Sequence, residues 1–415
     1  MRIRAALLIF FLITAVCYAG ETKMLNNGAM FTAIERDFTD TVSISMFFRG
    51  GLARENESNN GIGSLTASVW VKGSRLLKEA EFYGSSIGAG VSPDFFEVSF
   101  SSTAENLDRF IPSLRNFLMN PEFPDDVFER EKRLHLTAIK AVKDDPNAVA
   151  MRGFFSETYG SSHYALTTEG NEEAVSALEI DDLKKHKDKL IQGKNAFITV
   201  AGSFTEEQVR KLEAVFAEIP SGEEFQISCN DTVIEKDRHI EEEDERTQQA
   251  KMFMGYTAPA ASDEDYTAIK VMSDILGGGM SSRYFRALRK EKGYAYSVGT
   301  FYASRLCPSR FVGHIGLQYE NVEDAVSTME SINRGFIDDL GEDELEKVKN
   351  YILGRVLIES QTNGKVAWYN NFFMNVGLGE SYLSSYVDRI EKITKDDLRR
   401  AAKIFEGPKT LYILK

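Results

Sequence analysis

Alternation of apolar and polar positions picks out the strands of this chain. Val42, Ile44, Met46 and Phe48 recur at every second position along Thr41–Phe48, and Phe96, Val98 and Phe100 do the same downstream. A period of two predicts half-buried strands. Asn195–Gly202, Ala250–Tyr256 and Phe311–Leu317 are further short apolar runs that read as strands, whereas Thr205–Ala217 and Ser262–Leu276 carry the longer period of helices. Between Gly61 and Gly73, Ile62, Leu65 and Val69 form one apolar stripe with Trp70 beside it. Ser64 and Ser68, four residues apart, share another face of that helix. Strands mixed with amphipathic helices predict an α+β fold.

The pattern occurs twice. The strand ending at Phe100 leads through Ala104-Glu105-Asn106-Leu107 into a helix that runs through Phe117. The strand Phe311–Leu317 leads through Tyr319-Glu320-Asn321-Val322 into a helix that runs through Phe336. An acidic helix start follows each, at Pro124-Asp125-Asp126-Val127-Phe128 and at Gly341-Glu342-Asp343-Glu344-Leu345. Carboxylates in a first turn suit the positive end of the helix dipole. Glu105 precedes Glu320 by 215 residues and Phe128 precedes Leu345 by 217. So long a period means a duplicated domain, not a solenoid. The expected organisation is two homologous domains, 21–225 and 247–415, each a mixed sheet packed with helices. The linker, 226–246, holds the run Glu241-Glu242-Glu243-Asp244-Glu245, which reads as a solvated connector.

Charge and composition narrow the function. The 415 residues carry 49 Lys+Arg against 63 Asp+Glu, a net charge of −14. That balance argues against a nucleic-acid binder, whose phosphate contacts need a basic face. Three cysteines exclude a disulfide scaffold and a Cys-rich zinc module. Arg2 and Arg4, the apolar run Ala5–Val16 and the small residues Ala19-Gly20 follow the order of a secretory signal peptide, expected over 1–20 with cleavage near Ala19. A membrane span needs about 20 apolar residues, more than this run or any later one supplies. The product is expected to be exported, to a periplasm, where Cys229 and Cys307 would meet oxidising conditions. The sequence leaves their pairing open.

Two segments carry candidate chemistry. In the first, Phe48-Arg49-Gly50-Gly51-Leu52-Ala53-Arg54-Glu55 runs from a strand into a Gly-rich turn, and Asn60-Gly61-Ile62-Gly63-Ser64-Leu65-Thr66-Ala67-Ser68 opens the helix that ends at Lys72-Gly73-Ser74. The second is Leu276-Gly277-Gly278-Gly279-Met280-Ser281-Ser282-Arg283, continuing through Leu288-Arg289 to Gly293-Tyr294-Ala295-Tyr296-Ser297. Its triple glycine reads as a helix end with a sharp turn, and Ser281 or Ser282 as the cap of a helix with Phe285 and Leu288 on its apolar face. Over nearly the whole mature length these segments resemble the pitrilysin/insulinase zinc-metallopeptidase family, in its mitochondrial-processing-peptidase-like branch.

The resemblance implies a site that has lost its metal. The family helix carries His-x-x-Glu-His, two zinc ligands and the base that activates the metal's water. Those positions are Ser64, Ala67 and Ser68 here, and the third ligand, a Glu on a later helix, falls on Ala138, with its acidic neighbour kept as Glu131. Hydroxyls and methyls do not substitute in such a site, so no metal ligand or cofactor is expected in this chain. His135, His163, His186, His239 and His314 show no ligand-like spacing, and His135 reads as a helix-surface residue. No local Ser/His/Asp pattern would activate Ser64 or Ser68 as a nucleophile. Arg289 and Tyr296, seven apart, match the family pair that contacts the substrate: a guanidinium to anchor the peptide and a phenol to donate to the developing oxyanion. The implied architecture is half of a clamshell. The implied role is the non-catalytic, substrate-binding subunit of a heterodimeric zinc endopeptidase acting on peptides, with zinc on a His-x-x-Glu-His-bearing paralogue. Two other readings remain open: a scaffold like the core subunits of respiratory complexes, or a stand-alone peptidase with atypical chemistry.

Overall fold

The computed structural model describes residues 20–230, 232–295 and 297–415. Residues 1–19, on which the expected leader falls, and Tyr296 lie outside the described residues. In the first half, β1 (Glu21–Met24), β2 (Met30–Glu35), β3 (Thr41–Arg49), β4 (Ser86–Val91), β5 (Phe95–Thr103) and β6 (Ala196–Gly202) form one sheet in the order β1-β2-β6-β3-β5-β4. In the second, β7 (Arg238–Glu242), β8 (Ala250–Ala258), β9 (Val298–Tyr302), β10 (Ser309–Leu317) and β11 (Lys409–Leu414) form another in the order β7-β11-β8-β10-β9. Only β2 with β6 and β7 with β11 pair in parallel; every other ladder is antiparallel. Strand for strand, β7–β11 reproduce the chain order, spatial order and direction of β2–β6, so the repeat in the sequence is a repeat of topology. The fold is α+β, two mixed sheets packed with helices.

One expectation changes here. Within the linker expected over 226–246, residues 238–242 form the edge strand β7, counterpart of β2, and so take in the first two residues of the acidic run 241–245 that reads as a solvated connector. Backbone hydrogen bonds to β11 hold it, while the side chains of Glu241 and Glu242 stay at the rim. Charged side chains on an edge strand oppose further pairing without weakening the ladder they belong to.

The helices of the first half are α1 (Ile62–Gly73), α2 (Arg75–Phe82), α3 (Leu107–Met119), α4 (Asp125–Val142), α5 (Pro146–Tyr159), α6 (Glu172–Ala177), α7 (Ile180–Leu190) and α8 (Glu206–Ala217). Those of the second are α9 (Tyr266–Gly277), α10 (Val322–Gly335), α11 (Glu342–Glu359), α12 (Asn363–Asn375), α13 (Ser381–Glu391) and α14 (Lys395–Ala401). The alternating residues Val42, Ile44, Met46 and Phe48 of β3 meet Trp70 of α1, Phe110 and Phe117 of α3 and Phe216 of α8 in one core. Strand β3 is nevertheless buried on both faces. Its other face is covered by α12, from the second half: Phe47 stacks on Phe95 at 3.8 Å, and Trp368 closes edge-on at 5.7 Å. Asn371 of α12 donates to the Ser45 carbonyl (2.8 Å) and accepts from Thr199 (2.6 Å).

The exchange is reciprocal. Helix α5, from the first half, lies on the second sheet. Phe154 packs over Gly255, where a Cβ would fall 2.3 Å from its ring, and Gly153 makes room for Tyr412. Phe253 completes the contact at 5.7 Å. Each half therefore supplies a helix to the other's sheet, and neither sheet buries both faces without the other half. Among the described residues no helix is long and apolar enough to cross a membrane.

Candidate functional site

Helix α1 starts without a side-chain cap on Gly61, which takes the left-handed conformation at φ 104°. A carboxylate from outside the helix does the capping. Glu55 accepts from the backbone N–H groups of Gly61 (2.8 Å) and Gly63 (3.0 Å) and from Asn60 Nδ2 (2.9 Å). A side chain at position 63 would sit 2.6 Å from Glu55 Oε1, so glycine is what admits the carboxylate. Burial pushes the Glu55 carboxyl up to about 7, against the three hydrogen bonds that favour its ionised form. At the other end of α1, Lys72 Nζ pairs with Glu131 of α4 at 2.6 Å, and Arg130 Nε reaches the same carboxylate at 3.0 Å. Glu131 is 4% exposed and both its oxygens are engaged, while Lys72, about half exposed, reaches it from α1 and so ties the two helices.

Between these two fixings lie the four positions at which the resemblance puts metal chemistry. Ser64, Ala67 and Ser68 share α1, and Ala138 sits on the neighbouring α4. Ser64 Oγ donates to the Thr168 carbonyl at 2.6 Å. The Ala67 methyl is buried, Ser68 is half-buried, and Ala138 is exposed. His135, expected on the helix surface, is half-buried, and its Nε2 meets the Glu169 carbonyl at 2.6 Å, which assigns the proton to that nitrogen. Arg152 of α5 holds the Glu169 side chain at 3.0 Å. The loop after α5 thus lays two backbone carbonyls against α1 and α4. A zinc ion does not fit this donor set: one hydroxyl is already committed to a carbonyl, and two of the four positions are methyls. Among the described residues no group of three or more His, Cys, Asp or Glu is arranged to hold a metal. A carbonyl oxygen is no base, so the partner of Ser64 does not activate it as a nucleophile.

In the second half, the expected triple-glycine turn has a different physical basis. None of Gly277, Gly278 and Gly279 adopts a positive φ. Gly277 is small because the Thr300 backbone of β9 crosses it, 2.2 Å from where a Cβ would be, and Gly278 abuts Asp274. The helix that follows is not capped by a serine hydroxyl; Ser282 Oγ is buried without a hydrogen-bond partner. It winds as a π-helix over Phe285–Glu291 and stops before Gly293, at φ 70°. Glu344 of α11 clamps it, bonding Arg283 bidentately (2.7 and 3.2 Å) and Arg286 at 3.1 Å. Arg289 lies on this π-turn, half-buried, its guanidinium 4.9 Å from the Phe285 ring. Its companion Tyr296 is outside the described residues. The next residue, Ser297, lines a cleft of about 400 Å³ with Met151, Phe253, His314 and Ile315. Burial holds the His314 imidazole below its ordinary range.

A polar network missed by the sequence reading joins the halves. Asp94, 4% exposed, accepts from Tyr164 Oη (2.7 Å) and from the Leu306 N–H (3.0 Å), while the Cys307 N–H donates to the same phenol (3.0 Å). Cys307 is disulfide-bonded to Cys229, with 5.3 Å between the α-carbons. No spacing rule links an aspartate to a backbone amide two hundred residues away, so only the fold reveals it.

Comparison with known proteins gives the same outline. The family model described as "Insulinase (Peptidase family M16)" matches residues 31–172, and the one described as "Peptidase M16 inactive domain" matches 177–352. A Helicobacter pylori protein named "Non-peptidase homolog YmxG" is 22% identical over 366 residues, covering 86% of this chain and 84% of that protein. The crystal structure of a peptidase M16 inactive domain from Pseudomonas fluorescens superposes with a TM-score of 0.86 at 18% identity, over 95% of this chain and 97% of that one. A chain of complex III2 from Candida albicans superposes with a TM-score of 0.79 at 16% identity, over 95% of both.

Proposed function

The chain belongs to the insulinase family, peptidase M16, and from that premise we propose that it is the substrate-binding, non-catalytic subunit of an exported heterodimeric zinc endopeptidase. One observation carries the reading: the four positions to which the resemblance assigns metal chemistry carry serine and alanine, while the adjoining sheet ends in an edge strand, β4. Strand β4 packs against α1 and pairs only with β5. As the outer strand of that sheet, β4 leaves one side of its backbone for an extended peptide to pair with. Edge addition gives a peptide main-chain hydrogen bonds that do not depend on its sequence.

The zinc and its water-activating glutamate would come from a paralogue bearing His-x-x-Glu-His. This chain's contribution is to bind and orient: Arg289 to hold the peptide backbone, and Tyr296 to donate to the carbonyl oxygen as charge develops there. Export past a cleaved leader at 1–20, to a periplasm, is part of the proposal, and the Cys229–Cys307 bond supports it, since such bonds persist in oxidising compartments. Hydrolysis of an unfolded peptide by the chain mixed with a His-x-x-Glu-His paralogue should require both proteins. Arg289→Ala and Tyr296→Phe should each lower turnover of the pair by about 10²-fold without loss of assembly. Undiminished turnover in both variants would refute the roles given to these residues. The likeness to a complex III2 chain favours one other reading, a scaffold, and recovery of the chain in a membrane complex with no peptidase would select it.

A further inference from the structure

The double-glycine turn after β3 is not absorbed by the reading above. Gly50 and Gly51 both have positive φ, at 134° and 50°. A Cβ on Gly51 would strike the Ser92 carbonyl at 1.9 Å, and one on Gly50 would strike Arg54 Nε at 2.6 Å. The turn is therefore shaped to lay the Arg54 side chain across Gly50. Arg54 Nε donates to the Arg49 carbonyl at 3.3 Å, and the guanidinium stacks 3.9 Å from the Phe225 ring. Its Nη2 is buried without a partner, and among the described residues no carboxylate forms an ion pair with it. Burial lowers Arg54 to about 10, so it is still charged at neutral pH.

Arg54 lines a cleft of about 610 Å³ whose opposite wall is α7. There His186, 6% exposed, also keeps a buried nitrogen, Nε2, without a partner. Burial, with Arg54 and Lys189 nearby, holds this imidazole neutral, down to about 4. Lys185 and Lys189 stand exposed at the rim. Glu55 and Asp182 line the same cleft. An unpaired half-buried guanidinium and an orphaned buried imidazole, both in the wall of one cleft, lack an acceptor. The two carboxylates limit the charge that acceptor can carry: a single negative charge is balanced by Arg54, whereas a doubly charged phosphate meets repulsion from Glu55 and Asp182.

We propose that this cleft binds a carboxylate-bearing peptide, the carboxylate bridging Arg54 and His186. Its volume is that of a ligand pocket rather than an ion site, and neither Ser64 nor Arg289 lines it, so the inference does not rest on the subunit reading. Planar guanidinium and planar carboxylate match through paired N–H donors.

The test is calorimetric titration of the isolated chain with four probes. These are a short neutral peptide with a free C-terminus, its C-terminal amide, the amide carrying one internal Glu, and inorganic phosphate. Saturable binding of the free acid or of the Glu peptide, about tenfold tighter than the plain amide and lost in Arg54→Met, supports the site and tells a chain terminus from a side chain. In the unaltered protein the same titration should move the 15N resonances of His186, a readout that needs no variant. Tighter binding of phosphate than of either carboxylate overturns the proposal. So does absence of saturable binding, affinity unchanged in Arg54→Met, or a silent His186.

Discussion

Replacing both Cys229 and Cys307 by serine tests whether the connector is tied to the second half as the structure has it. The bond closes a loop between residues 78 apart. Chain-entropy arguments give about 4.5 kcal/mol for a loop of that length at 25 °C, from restriction of the unfolded chain. The native contacts at the bond should survive its removal. The Cys307 N–H still donates to Tyr164, and Asp94 still takes both Tyr164 and the Leu306 N–H. The loss should therefore act through the unfolded state, and a folded variant should keep the wild-type circular dichroism spectrum. Guanidinium unfolding is the assay, and the interleaved helices α5 and α12 make a single cooperative transition the expectation. The double variant should lose between about 2 and about 4.5 kcal/mol, and the oxidised protein without its leader should show no free thiols. A loss under about 1 kcal/mol, or two titratable thiols in protein folded under oxidising conditions, would refute the reasoning.

Two further outcomes follow from buried groups. The folded pKa of Glu55 is raised from 4.5 to about 7, so the stability it contributes is complete below its unfolded pKa and is lost as pH rises through about 7. That amounts to roughly 3 kcal/mol between acid and neutral pH; Glu55→Gln should flatten this part of the stability curve, and urea profiles that stay parallel at about pH 5 and about pH 8 would count against it. Phe154→Ala should cost about 3–5 kcal/mol, because the ring is fully enclosed between α5 and Gly255. A loss below about 1 kcal/mol would mean that α5 does not hold the second sheet.

What the sequence revealed was whatever depends on side-chain period. Strands β3 and β5 were legible from alternating apolar positions, and β8 and β10 from short apolar runs, and each is found where its pattern places it. The repeat was legible for the same reason, since both copies must solve the same packing problem. Strand β7 was not legible: nothing in Arg238–Glu242 alternates, and its partner β11 begins 167 residues after its own last residue. The exchange of α5 and α12 was hidden too. An amphipathic helix announces that it has a buried face but not which sheet it covers. In the site, Ser64, Ala67, Ser68 and Ala138 are assigned to the family's metal positions by the resemblance alone. The Thr168 and Glu169 carbonyls could not be foreseen, because a backbone acceptor leaves no mark on the pattern of side chains.

The contacts that fix α1 fall on atoms outside the four positions to which the resemblance assigns metal chemistry. Helix α1 is held at its start by Glu55 and at its end by Lys72 on Glu131, and none of these residues occupies a ligand position. Glu55 accepts the N–H groups at the start of α1 through contacts that involve none of the four positions. Ser64 and His135 hydrogen-bond the Thr168 and Glu169 carbonyls of the loop after α5, so these buried acceptors are satisfied within the chain. The same separation explains why restoring two histidines alone would not rebuild a metal site. The loop carbonyl lies 2.6 Å from Ser64 Oγ, and a larger ring at that position would have to displace the loop before it could offer a nitrogen.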